Sequence, residues 1–123
     1  MSKFHEFECP RNLYEKLIRD HQRLSEDLSG DNLFSFIATV VHLHPWIKNS
    51  KLSSSETVKR LLRKSSRHPY MKICKDITTA KTNFKLEIFD NGNALLHVSD
   101  NQIDVDDFRN SLVGLFDTFF KQK

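Results

Sequence analysis

Residues 83–98 read NFKLEIFDNGNALLHV, and the apolar period through this stretch is two. Phe84, Leu86 and Ile88 form one alternating set and Ala94, Leu96 and Val98 another. This pattern predicts a β-hairpin at about residues 84–98. A three-residue loop, Asp90-Asn91-Gly92, with Gly92 at positive φ, sets Ile88 against Ala94, Leu86 against Leu96 and Phe84 against Val98. All six apolar side chains then share one face, and Lys85, Glu87 and His97 lie on the other. A two-residue Asn91-Gly92 turn scatters them over both faces, so the longer loop is the expected one.

Outward from the hairpin the period is helical. Leu13, Leu17, Leu24 and Leu28 predict a first helix from Pro10 to about Leu28, with His21 on its apolar stripe and Ser29-Gly30 as its stop. Asp31 or Asn32 is expected to cap a second helix carrying Leu33, Phe36, Ile37, Val40 and Val41. Pro45 should kink or end that helix at His44, leaving Trp46 and Ile47 to close over the core. Ser53-Ser54-Ser55-Glu56 has capping-box form, which starts a third helix with Val58, Leu61 and Leu62 inward. A fourth fits His68 to about Lys81, with Tyr70, Ile73, Cys74 and Ile77 on one side. The last runs from Asp104 or Val105 to Phe120, with Val105, Phe108, Leu112, Leu115, Phe116 and Phe119 in a wide apolar stripe. The expected class is mainly α (α+β): about five helices in a bundle, with one hairpin before the C-terminal helix. A homodimer contact through the last stripe, with Phe120 beside it, is the alternative to full burial.

The 123 residues, 38% hydrophobic and 28% charged with ten Phe, suit one domain over 1–123. Cys9 and Cys74 have no metal-ligand or disulfide spacing, and reduced thiols in a cytoplasmic protein are expected. No apolar run approaches membrane-spanning length, and neither a membrane nor a cofactor is expected.

The net charge of +3 is mild, but Lys59 to Arg67 reads KRLLRKSSR, five cations without an acid. Lys59, Arg60, Arg63, Lys64 and Arg67 form either a solvated helix face or a surface for a host protein or nucleic acid.

With three glycines there is no phosphate loop, and HExxH and GxSxG are absent. His42 and His44 point apart on a helix, so they cannot share a metal there; one is expected to be a buried polar anchor and the other to lie at the surface. His21 is expected to be satisfied in the core or joined to Arg19 or Asp20. Arg63 and His68 have the Arg-x4-His form of HEPN ribonucleases, in which the histidine activates a 2′-hydroxyl and the arginine holds the phosphate. One such spacing is expected by chance here, and the polar residue after that arginine is replaced by Lys64. His42 with a partner brought by the fold is the other catalytic candidate.

The run Phe34–Ile47, with Cys74-Lys75-Asp76-Ile77 and Asn83-Phe84-Lys85-Leu86, resembles small HEPN-like helical proteins of bacteria, phages and mobile elements. In that group Ala-x-His-Leu-x-x-Trp-Ile lies in the second helix, matched by His42, Leu43, Trp46 and Ile47. Asp-Ile-Ala-Asn-Gly-x-Lys-His-Phe precedes a strand, matched by Asp76, Ile77 and Phe84. Thr82-Asn83 replaces Lys-His, so acid-base chemistry at that histidine has no counterpart. The resemblance implies a helical bundle and a mobile-element setting, and leaves an interaction module or a metal-independent ribonuclease or toxin as the functional expectations.

Overall fold

A computed structural model describes residues 9–50 and 55–120, apart from the Phe119 side chain. Among these, the elements in chain order are α1 (Pro10–Glu26), α2 (Gly30–Lys48), α3 (Glu56–Arg67), α4 (Pro69–Thr78), β1 (Lys85–Ile88), β2 (Ala94–Val98), β3 (Asn101–Asp104) and α5 (Val105–Phe120). The molecule is thus mainly helical, with a small sheet before the last helix.

Helix α1 starts with Pro10 in its first turn, where the missing donor costs nothing. It ends at Glu26, two residues before the expected Leu28. Ser29 belongs to the next helix: its hydroxyl accepts the Asn32 N–H at 3.1 Å, and the Asn32 amide donates back to the Asp27 carbonyl at 2.8 Å. Ser29, and neither Asp31 nor Asn32, is therefore the cap, and Gly30 opens α2 instead of stopping α1.

Helix α2 is the centre of the core. Leu33, Phe36, Ile37, Val40, Leu43 and Ile47 are all fully buried. The helix does not end at His44: α2 runs through Pro45 to Lys48. An interior proline costs about 3 kcal/mol. Continuing the helix keeps Ile47 buried, a gain of about 1.5–3 kcal/mol, and the last turn closes with Asn49 N–H to Pro45 O at 2.9 Å. The cost is largely offset. Trp46 consequently turns outward and is 36% exposed, so it does not close over the core.

Helix α3 follows Ser55, which makes no side-chain cap bond; Ser53 and Ser54 of the expected capping box lie outside the described residues. Val58, Leu61 and Ser65 are buried and Leu62 is partly so. His68 lies between α3 and α4 and caps the latter. Met71, Cys74 and Ile77 make the buried side of α4, with Tyr70 and Ile73 at its margin. The helix ends at Thr78, short of the expected Lys81. Ala80 takes φ 62° there, and Lys81 N–H reaches back to Asp76 O at 2.8 Å, a left-handed helix stop.

The hairpin has the expected register, Ile88 with Ala94 and Leu86 with Leu96. Phe89 N–H donates to Asn93 O at 2.8 Å across Asp90-Asn91-Gly92, and Gly92 has φ 90°. On the outer face His97 Nε2 is 2.8 Å from Glu87 Oε1. Ala94, Leu96 and Val98 are buried, but Ile88 projects past the bundle and is 53% exposed. The sheet also has a third strand that was not expected, giving the antiparallel order β1-β2-β3. Ile103 pairs with Leu96 and is the one buried residue of β3, too little apolar content to announce a strand.

Helix α5 follows β3 directly. Phe108, Leu112 and Phe116 are fully buried, and Val105, Leu115 and Phe120 nearly so. The Phe120 ring stacks on Tyr14 with centroids 4.5 Å apart, and Arg11 Nη2 donates to Phe120 O at 2.7 Å. The stripe that was the alternative dimer contact is therefore covered within the chain; its Phe119 side chain lies outside the described residues.

Candidate anion-binding groove on helix α3

Arg60, Arg63, Lys64 and Arg67 recur at i, i+3, i+4 and i+7, which places them on one face of α3. The opposite face carries Val58, Leu61 and Ser65 into the core, and this burial fixes the helix rotation that presents the cations to solvent. With His68 from the α3–α4 junction, the four cations line an open recess of about 530 Å³. Lys59, the fifth cation of the run, does not line it and lies 3.8 Å from Glu56 on its own helix.

The position of His68 follows from its backbone. With φ −70° and ψ 127°, it ends α3 and caps α4 through Nδ1, which accepts the Tyr70 N–H at 3.2 Å. An imidazole that accepts at Nδ1 carries its proton on Nε2, so Nε2–H is the donor left for a ligand. Desolvation, then Lys64, pushes the His68 pKa below its ordinary value, while Asp107 opposes the shift. Tyr70 stands beside it, ring centroids 5.5 Å apart, and donates its phenol to Asp107 Oδ2 at 2.6 Å. That hydrogen bond, then burial, raises the Tyr70 pKa to about 12. Such a recess supplies guanidinium forks, an ammonium and one neutral N–H donor, a set suited to phosphate oxygens.

Arg63 and His68 are thus brought to one recess. His42 is not: it is exposed on α2 and lines a separate hollow of about 410 Å³ with Pro10, Pro45, Trp46 and Asn49. His44 is half-buried rather than buried, its Nδ1 at a long 3.5 Å from Ser65 Oγ, while His42 is the surface histidine of the two. Desolvation, with Lys75 and Lys48, lowers the His44 pKa. His21 does not join Arg19 or Asp20. Its Nδ1 has no partner among the described residues, while its carbonyl accepts from Arg109 Nη1 at 2.9 Å.

The buried polar group of α1 is instead Asp20. Lys16 Nζ and the Thr39 hydroxyl both donate to Asp20 Oδ2 at 2.7 Å, and Lys16 also reaches Thr39 Oγ1 at 3.0 Å. The sequence signal was available: Asp20 falls at helical spacing with Leu13, Leu17 and Leu24. The Tyr70–Asp107 pair beside His68 had no such signal, because 37 positions separate its members.

No group of three or more His, Cys, Asp or Glu that could hold a metal occurs among the described residues. No helix among them is long and apolar enough to cross a membrane. Comparison with family models, curated proteins and solved structures finds no match for the chain.

Proposed function

We propose that this chain is a small interaction module working inside the cell, which binds nucleic acid through the α3 groove. The observation that carries the reading is the arrangement of Arg60, Arg63, Lys64 and Arg67 with His68 around one recess. These cations are exposed, so they would neutralise ligand phosphates and release the counterions condensed on the nucleic acid without disturbing the core. The HEPN-like resemblance and its mobile-element setting are consistent with such a role.

The test is binding of labelled single-stranded RNA and duplex DNA by fluorescence anisotropy over a salt series. Four phosphate contacts predict a log-log salt slope on the order of −3. Combined reversal of Arg60, Arg63 and Arg67 to Glu should abolish capture with little change in melting temperature. Undiminished capture overturns the reading, and capture of an acidic host protein in place of nucleic acid redirects it.

A second reading, a metal-independent HEPN-type ribonuclease or toxin, is favoured by Arg63 and His68 lining the same recess. Its expectation is RNA cleavage that persists in chelator and disappears in His68→Ala. Binding without cleavage leaves the module reading.

A further inference from the structure

The sheet order β1-β2-β3 leaves one edge of β1 without a strand partner among the described residues. Which backbone groups lie on that edge follows from the hairpin. Phe89 N–H bonds to Asn93 O, so by antiparallel alternation Glu87 and Lys85 also point their N–H and C=O toward β2. Phe84, Leu86 and Ile88 therefore point theirs outward. Edge strands in this state are templates for another strand, and natural proteins commonly blunt them with charge. Here the edge carries one charge of each sign, Lys85 and Glu87, both exposed.

We infer that the outer edge of β1 is a self-association surface whose occupant is a second copy of this chain, joined antiparallel about a two-fold axis with Leu86 opposite Leu86. The register follows from hydrogen-bond parity and charge. Outward-pointing residues must face outward-pointing residues, which leaves three central alignments of the two strands. Setting Phe84 against Leu86 places Lys85 opposite Lys85, and setting Leu86 against Ile88 places Glu87 opposite Glu87. Both oppose like charges. Setting Leu86 against Leu86 places Lys85 opposite Glu87 twice, in the closely spaced positions where side chains approach best. Each symmetric contact is made twice, as a closed two-fold interface requires.

The apolar face agrees with the polar one. In this register Ile88 of one copy lies over Phe84 of the other, beside a hollow of about 480 Å³ lined by Phe34, Ile77 and Phe84. Ile88 is 53% and Phe34 45% exposed in the single chain, the two largest such exposures among the described residues. Pairing brings Ile88 under cover, beside the hollow that Phe34 lines. Lys85 has no carboxylate within ion-pair distance among the described residues of its own chain, so it is available to the second copy. The contact area is small, and the dimer is accordingly weak and concentration-dependent.

The test uses sedimentation equilibrium of the full chain from micromolar to millimolar concentration. The parent protein dimerises reversibly. Lys85→Glu makes the edge wholly acidic and Glu87→Lys makes it wholly basic, so each variant alone weakens self-association by at least about tenfold. Mixed in equal amounts, the two form a heterodimer, because every acid then faces a base. Far-ultraviolet circular dichroism and melting curves establish that both variants keep the fold. A parent chain that stays monomeric up to millimolar concentration overturns the proposal. So does a mixture no more associated than its components.

Discussion

The Thr39 hydroxyl donates to the Asp20 carboxylate at 2.7 Å, joining α2 to α1 at a position where Asp20 is only 3% exposed. Lys16 closes the arrangement from the solvent side, its side chain one-third exposed. The two charged partners should respond unequally to mutation. Asp20→Ala should cost about 1–3 kcal/mol, because Lys16 can turn to water. Lys16→Met should cost at least as much, since it strands a buried carboxylate. Urea denaturation of both variants checks the order.

The two tyrosines of the chain both hydrogen-bond to aspartates, Tyr14 to Asp117 and Tyr70 to Asp107. Burial followed by the Asp117 bond raises Tyr14 to about 12, and the Asp107 bond followed by burial raises Tyr70 to about 12. Tyrosinate absorbance should therefore stay low through pH 10. Asp107→Asn should bring one of the two titrations down toward the ordinary value. As the folded pKa values lie above the unfolded ones, this stabilisation is present below pH 10 and is lost between 10 and about 12.

Desolvation lowers the pKa of His21, His44 and His68, and neighbouring Arg109, Lys75 and Lys64 add to it at the three sites respectively. The unfolded chain thus binds protons more readily than the folded one. The histidine contribution to stability is present above the unfolded value of about 6.5 and is lost as the pH falls from there toward the lowered folded values. Melting temperature recorded between about pH 7.5 and 5 should show the decline. His68→Asn keeps a helix-capping acceptor and removes the titration, so it should hold neutral-pH stability and flatten the acid slope.

Ala80 stops α4 in a left-handed conformation, φ 62°, which strains any residue with a Cβ. Ala80→Gly should stabilise by about 0.5–1 kcal/mol net of glycine's greater unfolded-state entropy. A rise in melting temperature is the expected result.

Phe116 is fully buried and Phe116→Ala should cost about 3–5 kcal/mol. Trp46→Ala, at a position more than a third exposed, should cost well under half of that. Equal losses in thermal melts would contradict the outward placement of Trp46.

The hairpin register was legible in residues 83–98 because a one-residue slip sends every apolar side chain to the wrong face. The helical stripes around Leu17, Phe36 and Phe116 were legible for the same reason, since periodicity encodes which face is buried. The cationic stripe of α3 could be read as well, though only its helix phase separates Lys59 from Arg60, Arg63, Lys64 and Arg67. Tertiary structure decided the rest. Pro45 stays helical because Ile47 is already committed to the core, an energy that no local rule contains. Asp20, and not His21, enters the core because Thr39 and Lys16 arrive there from another turn and another helix. Tyr70 is held beside His68 by its hydrogen bond to Asp107, 37 positions away on α5. In each case the deciding energy is a contact between residues distant in sequence, whereas periodicity and capping report only on neighbours.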